Sequence, residues 1–150
     1  MPTRSEIDNF LAQKRIALVG VSRNPKQFAN MVYNALKKRD YHLYPINPNA
    51  ETVEGDKCYP NVAGLPEQVD GILVMLPPAA ALDVVHQCAD AGITRVWLGN
   101  GAVSPEAVQF CRERRIAVVD GACPMMFAEP VGSVHRFHRF ILKLMGALPK

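Results

Sequence analysis

The sequence predicts an α/β protein built on a doubly wound parallel sheet of about five strands in the order 2-1-3-4-5. Three observations lead there. Short apolar runs alternate with helical patterns along all 150 residues, and that alternation builds a parallel sheet through right-handed crossovers. The third run, residues 72–76, is almost wholly apolar, as a strand covered on both faces must be. The first run ends at Gly20, and Asn24-Pro25 follow as an N-cap and first helical position.

Each element has its own signal. A polar helix over about residues 4–14 precedes the first strand, residues 16–20. The second helix spans residues 25 to about 39, with Phe28, Met31, Val32, Ala35 and Leu36 on one face and Lys37, Lys38 and Arg39 in its last turn. Residues 42–46 form the second strand. Asn47-Pro48-Asn49 turns, and Cys58-Tyr59-Pro60 suits a short edge strand, because Pro60 bars it from the sheet interior. Residues 61–69 read as a loop or one helical turn. Pro77-Pro78 stops the third strand and opens a helix to Ala91, with Gly92 as its C-cap. The fourth strand is 95–98, followed by a flexible Gly99-Asn100-Gly101 turn. Ser104 and Pro105 open the next helix, and residues 116–119 make the fifth strand. Residues 122–132 are irregular. An extra C-terminal helix over about 133–146 carries Val134, Phe137, Ile141, Leu144 and Met145 on one stripe.

Composition narrows the function classes. The chain has the length of one domain, residues 1–150, and its 49% hydrophobic content excludes disorder. The net charge of +3, from 17 Lys+Arg against 14 Asp+Glu, is too small a bias for nucleic acid and suits a modestly anionic small ligand. The longest apolar runs fall far short of a membrane span, and the N-terminus has no apolar signal core, so a cytoplasmic protein is expected. Cys58, Cys88, Cys111 and Cys123 show no C-x-x-C spacing and read as reduced thiols. His135 and His138 sit three apart, but Arg136 and Arg139 beside them would repel a cation, so no metal site is expected.

Strand, glycine turn and helix start together aim backbone N–H groups at a phosphate. In a doubly wound sheet the ligand sits at the carboxyl ends of the strands where their order reverses, here between the first and third. Gly20, Val21, Ser22 and Arg23 face that crevice, with Pro77, Pro78 and Asn47 alongside. The loop lacks the second and third glycines of G-x-G-x-x-G, and a tight turn alone would also account for Gly20. Arg23 and Lys26 supply positive charge for phosphates. A nicotinamide domain that takes an unphosphorylated ribose places Asp or Glu at the tip of the second strand. Here that tip reads Tyr44-Pro45-Ile46-Asn47-Pro48-Asn49, with Glu51 beyond the turn. The expected ligand is therefore a phosphate-rich adenine nucleotide, coenzyme A or NADP rather than NAD. Nothing further along is arranged for hydride transfer.

The segments 17–25, 44–49, 55–60, 96–98 and 123–124 together resemble the small single-domain CoA-binding proteins. The resemblance covers about residues 12–125. Their fold is Rossmann-like, similar to the CoA-binding domain of the succinate–CoA ligase alpha subunit and of acyl-CoA synthetases that release a nucleoside diphosphate. The resemblance implies that Gly20 to Arg23 hold the CoA pyrophosphate and that Asn47 and Pro48 lie near the adenosine. It places Pro77 and Pro78 along the CoA groove, and Leu98 and Asn100 beside the pantetheine arm. The ligase subunits carry more glycine in the phosphate loop, where this chain has Ser22-Arg23. They also carry a second domain with a catalytic histidine, which this chain has no room for. A binder of coenzyme A or an acyl-CoA, non-catalytic on its own, is expected. A small NADP-dependent oxidoreductase and a CoA-ligase subunit completed by a partner chain are the alternatives. A homodimer or another protein partner is compatible with the C-terminal helix. Cys123 reads either as a thiol near the CoA thiol or as a buried small hydrophobe.

Overall fold

The computed structural model describes residues 3–39 and 41–121. A five-stranded parallel sheet forms the centre, in the order β2-β1-β5-β6-β7. Its strands are β1 (Arg15–Val19), β2 (His42–Ile46), β5 (Gly71–Val74), β6 (Arg95–Leu98) and β7 (Ala117–Asp120). Two further strands, β3 (Thr52–Val53) and β4 (Asp56–Lys57), pair with each other as a separate antiparallel hairpin. Counting the sheet strands alone, this is the doubly wound order that the sequence predicts.

The period-2 geometry of a strand divides the apolar residues between two cores. Ala17, Val19, Ile72, Val74, Val96, Leu98 and Val118 face one side of the sheet. Helices α3 (Pro78–Ala91) and α4 (Pro105–Glu113) cover that side with Ala81, Val85, Cys88, Ala107 and Cys111. Ile16, Leu18, Leu73, Trp97 and Val119 face the other side, under α1 (Arg4–Leu11) and α2 (Phe28–Lys37). There Phe10 meets Trp97 edge to face, with ring centroids 5.3 Å apart. The contact needs Gly71 in the neighbouring strand, since a Cβ at that position would stand 2.9 Å from the Phe10 ring.

The helix ends follow local rules, those at Ser104 and Gly92 as read from the sequence. Thr3 and Glu6 close a capping box on α1. Ser104 caps α4, and Gly92 ends α3 in the left-handed region at φ 75°. Helix α2 departs from expectation. It begins at Phe28, not at Pro25, because the Asn24 side chain accepts from the Lys26 amide and the Asn24 carbonyl from the Gln27 amide. Those bonds make an isolated turn of residues 24–27. The inward face also differs. Ala29, Asn30, Val32, Tyr33 and Leu36 are buried, whereas Phe28 and Met31 are 46% and 49% exposed.

Three smaller corrections concern loops. Tyr59 forms a bridge to Ile46 at the sheet edge, but the strand preceding it is Asp56–Lys57 and belongs to the hairpin. Residues Glu54 and Gly55 turn that hairpin at φ 52° and 80°, the paired left-handed conformations of a type I′ turn. The Gly99-Asn100-Gly101 stretch is one 3-10 turn, Asn100–Ala102. The irregular segment 122–132 and the C-terminal helix of the sequence reading lie outside the described residues.

Cys58, Cys88 and Cys111 are buried and unpaired. Burial, with a contribution from Cys111, pushes the Cys88 thiol up to about 12, and burial pushes Cys111 up to about 11. These thiols are inert at neutral pH. At the amino ends of the strands, Arg15 pairs with Asp70 at 3.4 Å and Glu67 at 3.8 Å. Burial raises the Asp70 carboxyl, but the hydrogen bonds and charge of Arg15 outweigh it and hold the group below its ordinary range. The unfolded chain then binds more protons than the native one in acid. The contribution of Asp70 is complete above the ordinary carboxylate range and is lost as pH falls through its native value. Urea denaturation between about pH 5 and pH 3 is expected to show a shallower loss of stability in Asp70→Asn than in the parent chain. Parallel curves would exclude this role.

Candidate functional site

Strand register sets up the site. Val19 lies beside Ile46 and Val74, Val74 beside Leu98, and Leu98 beside Asp120. The residues just past the strand ends are therefore Asn47, Gly20, Met75, Gly99 and Gly121, in a row across the carboxyl edge. Met75 donates its amide to the Val19 carbonyl, and Gly99 donates to Val74. Between β1 and β5 the connections leave in opposite directions, α2 to one face and α3 to the other. In sheets of this order, that divergence marks the carboxyl edge as the place where ligands bind.

Gly20 is required here by two independent constraints. Its φ is +116°, and a Cβ would lie 2.2 Å from the Met75 carbonyl oxygen. The tight turn noted in the sequence thus fully explains the glycine, which launches the loop of residues 21–27. Val21 is buried, and its carbonyl accepts from Asn47 Nδ2 at 2.9 Å. Ser22 donates its amide to Asn30 Oδ1 at 2.9 Å, and its carbonyl accepts from Asn30 Nδ2 at 2.7 Å. The Asn24 amide donates to Ser22 Oγ. The loop therefore spends the amides of Ser22, Asn24, Lys26 and Gln27 on its own shape. Those of Arg23, Phe28 and Ala29 have no acceptor among the described residues. Gln27, the N-cap of α2, makes no side-chain cap bond. The start of α2 thus keeps open N–H groups and the positive end of its dipole.

Arg23 and Lys26 are exposed, with no ion pair or hydrogen bond from their side chains among the described residues. Both are available to an anion at the loop. Asn47 stands at the tip of β2 and uses its side chain as a brace, donating to Val21 and accepting the Asn49 amide at 2.7 Å. Pro48 is exposed beside it. Pro77 is the N-cap of α3 and Pro78 its first residue, both exposed and without a side-chain cap bond. Leu98 is fully buried inside β6, so its side chain serves the core and leaves only its backbone near the edge. Asn100 opens the 3-10 turn after Gly99.

Two residues that the sequence reading passed over belong to this neighbourhood. Asn30 is 1% exposed and holds Ser22 from both sides. Glu54 arrives from the hairpin and accepts from Asn30 Nδ2 at 3.0 Å. The tip of β2 is free of acid, as read, but a carboxylate from further along the chain reaches Asn30, the residue that holds the loop. An asparagine within an apolar helix face was the signal for the first. For the second, only the Glu54-Gly55 turn was visible.

The architecture is that of a Rossmann-like α/β domain, with an open helix start and two exposed cations past the end of β1. The CoA binding domain family matches residues 14–129, and the chain belongs to that family. It is 30% identical to the ADP-forming acetate–CoA ligase II of Archaeoglobus fulgidus over 76% of this chain, and it spans only 17% of that ligase. It is 27% identical to the uncharacterized protein YneT of Bacillus subtilis, covering 81% of this chain and 91% of that one. Among solved structures, a hypothetical protein from Pyrococcus horikoshii superimposes with a TM-score of 0.81 at 32% identity, over 87% of this chain and 92% of that one.

Replacing Gly20 by Ala forces a Cβ against a backbone oxygen that cannot yield. A destabilisation of about 3 kcal/mol or more is expected in chemical denaturation, and a loss under about 0.5 kcal/mol would refute the constraint.

Proposed function

We propose that this chain binds coenzyme A or an acyl-CoA at the carboxyl edge between β1 and β5. The observation that carries the reading is the start of α2, where three open amides and two unpaired cations adjoin in a member of the CoA-binding family. Coenzyme A offers a pyrophosphate and a ribose phosphate, so it matches both the amides and the cations. The pyrophosphate rests on residues 20–23 and the first turn of α2, with Lys26 close by. Asn47 and Pro48 stand toward the adenosine. Pro77, Pro78 and the Asn100 turn border the pantetheine arm. Family membership favours coenzyme A and lends nothing to NADP.

The chain acts as a binding module, without chemistry of its own, in a single domain. A second reading follows from the A. fulgidus relative, whose longer chain contains a matching segment. In that reading the module hands CoA to a catalytic partner chain.

Isothermal calorimetry with CoA, NADP and NAD tests the proposal. Heat of binding is expected with CoA, and tight NAD binding without a CoA signal would reject it. Replacing Arg23 and Lys26 together by Ala is expected to weaken CoA about tenfold and to flatten the salt dependence of binding, with the melting temperature unchanged.

A further inference from the structure

Helix α2 carries a polar stripe as well as its apolar one. Asn30, Tyr33, Asn34 and Lys37 share one helix face, and all four reach the β3–β4 hairpin. Tyr33 donates to Asp56 Oδ2 at 2.5 Å, and Lys37 Nζ pairs with the same oxygen at 2.8 Å. Asn30 donates to the Glu54 carboxylate, and Asn34 beside it helps to hold that carboxyl below its ordinary range. Of the four, Asn30 also faces the phosphate-type loop, where it accepts the Ser22 amide and donates to the Ser22 carbonyl.

The donor count makes this arrangement directional. The Asn30 amide has two hydrogens, and both are used, one on Ser22 O and one on Glu54 Oε1. Its oxygen is left for the Ser22 amide. The flipped amide would set its oxygen against a carboxylate and a carbonyl, and would aim its hydrogens at an N–H donor. Glu54 accepts only, because Asn30 and Asn34 hold its carboxyl below the ordinary range. The carboxylate therefore selects the one side-chain orientation that can clamp Ser22. Glu54 does this from a left-handed backbone at φ 52°, a conformation that the two-residue turn imposes.

We propose that Glu54 is a positioning residue, which acts through Asn30 to hold Ser22 in the geometry that receives a diphosphate. The inference rests on the CoA reading given above and adds the hairpin to the binding apparatus. Docking of the hairpin on α2 and occupancy of the loop are then coupled, and each strengthens the other.

The test uses the whole chain, CoA calorimetry and amide exchange at Ser22 followed by NMR. Glu54→Ala removes the acceptor, and is expected to weaken CoA about tenfold and to speed Ser22 exchange by a similar factor. Glu54→Gln keeps an acceptor oxygen and is expected to stay within about twofold of the parent. Asn30→Asp preserves shape but loses both donors and faces Glu54 with a like charge, so it is expected to lose at least as much as Glu54→Ala. A Glu54→Ala chain with parental affinity and parental Ser22 exchange overturns the proposal, and so does a Glu54→Gln chain as impaired as Glu54→Ala. If the parent gives no heat with CoA, the functional reading fails, while Ser22 exchange in the ligand-free variants still decides the relay.

Discussion

The packing of Gly20 on the Met75 carbonyl is the constraint from which the rest of the candidate site follows. Two buried parallel strands end side by side, and the chain leaving the first must clear the backbone leaving the second. Only a residue without a Cβ, at positive φ, fits that gap. Once the chain has turned there, Val21 is buried and Ser22 lies under Asn30. Arg23 and the residues that open α2 remain exposed. The apolar sheet thus sets the position of polar groups that make no contact with it.

Most of the architecture was legible because it rests on periods and punctuation. The all-apolar run at 72–76 announced a strand buried on both faces, and its residues do divide between two cores. Proline after serine at 104–105, and glycine at 92, marked helix ends that the structure reproduces. The start of α2 was misread because Asn24 has two competing uses. An asparagine before a proline caps a helix or closes a local turn, and side-chain bonding to the Lys26 amide favours the turn. Phe28 and Met31 then fall outside the helix face that packs on the sheet, and their exposure follows.

The candidate loop stood out in the sequence for a different reason. A glycine at a strand end followed by cations is a local pattern, and locality is what a sequence displays. The clamp on Ser22 is not local. Asn30 is eight residues away and Glu54 a further twenty-four, and their meeting depends on a hairpin whose two-residue strands are too short to announce themselves. The tip of β2 carries no acid, yet tertiary structure brings a carboxylate to Asn30, one residue removed from the loop.

The outer edge of β2 has a further consequence. Its outward-facing positions include Pro45, which has no N–H to offer, and its carbonyl is already taken by the Tyr59 amide. Asn47 in turn gives its amide to the Tyr59 carbonyl. A strand sealed in this way is a poor template for another copy of itself. Among the described residues, pairing of another strand along β2 is disfavoured at Pro45 and Asn47.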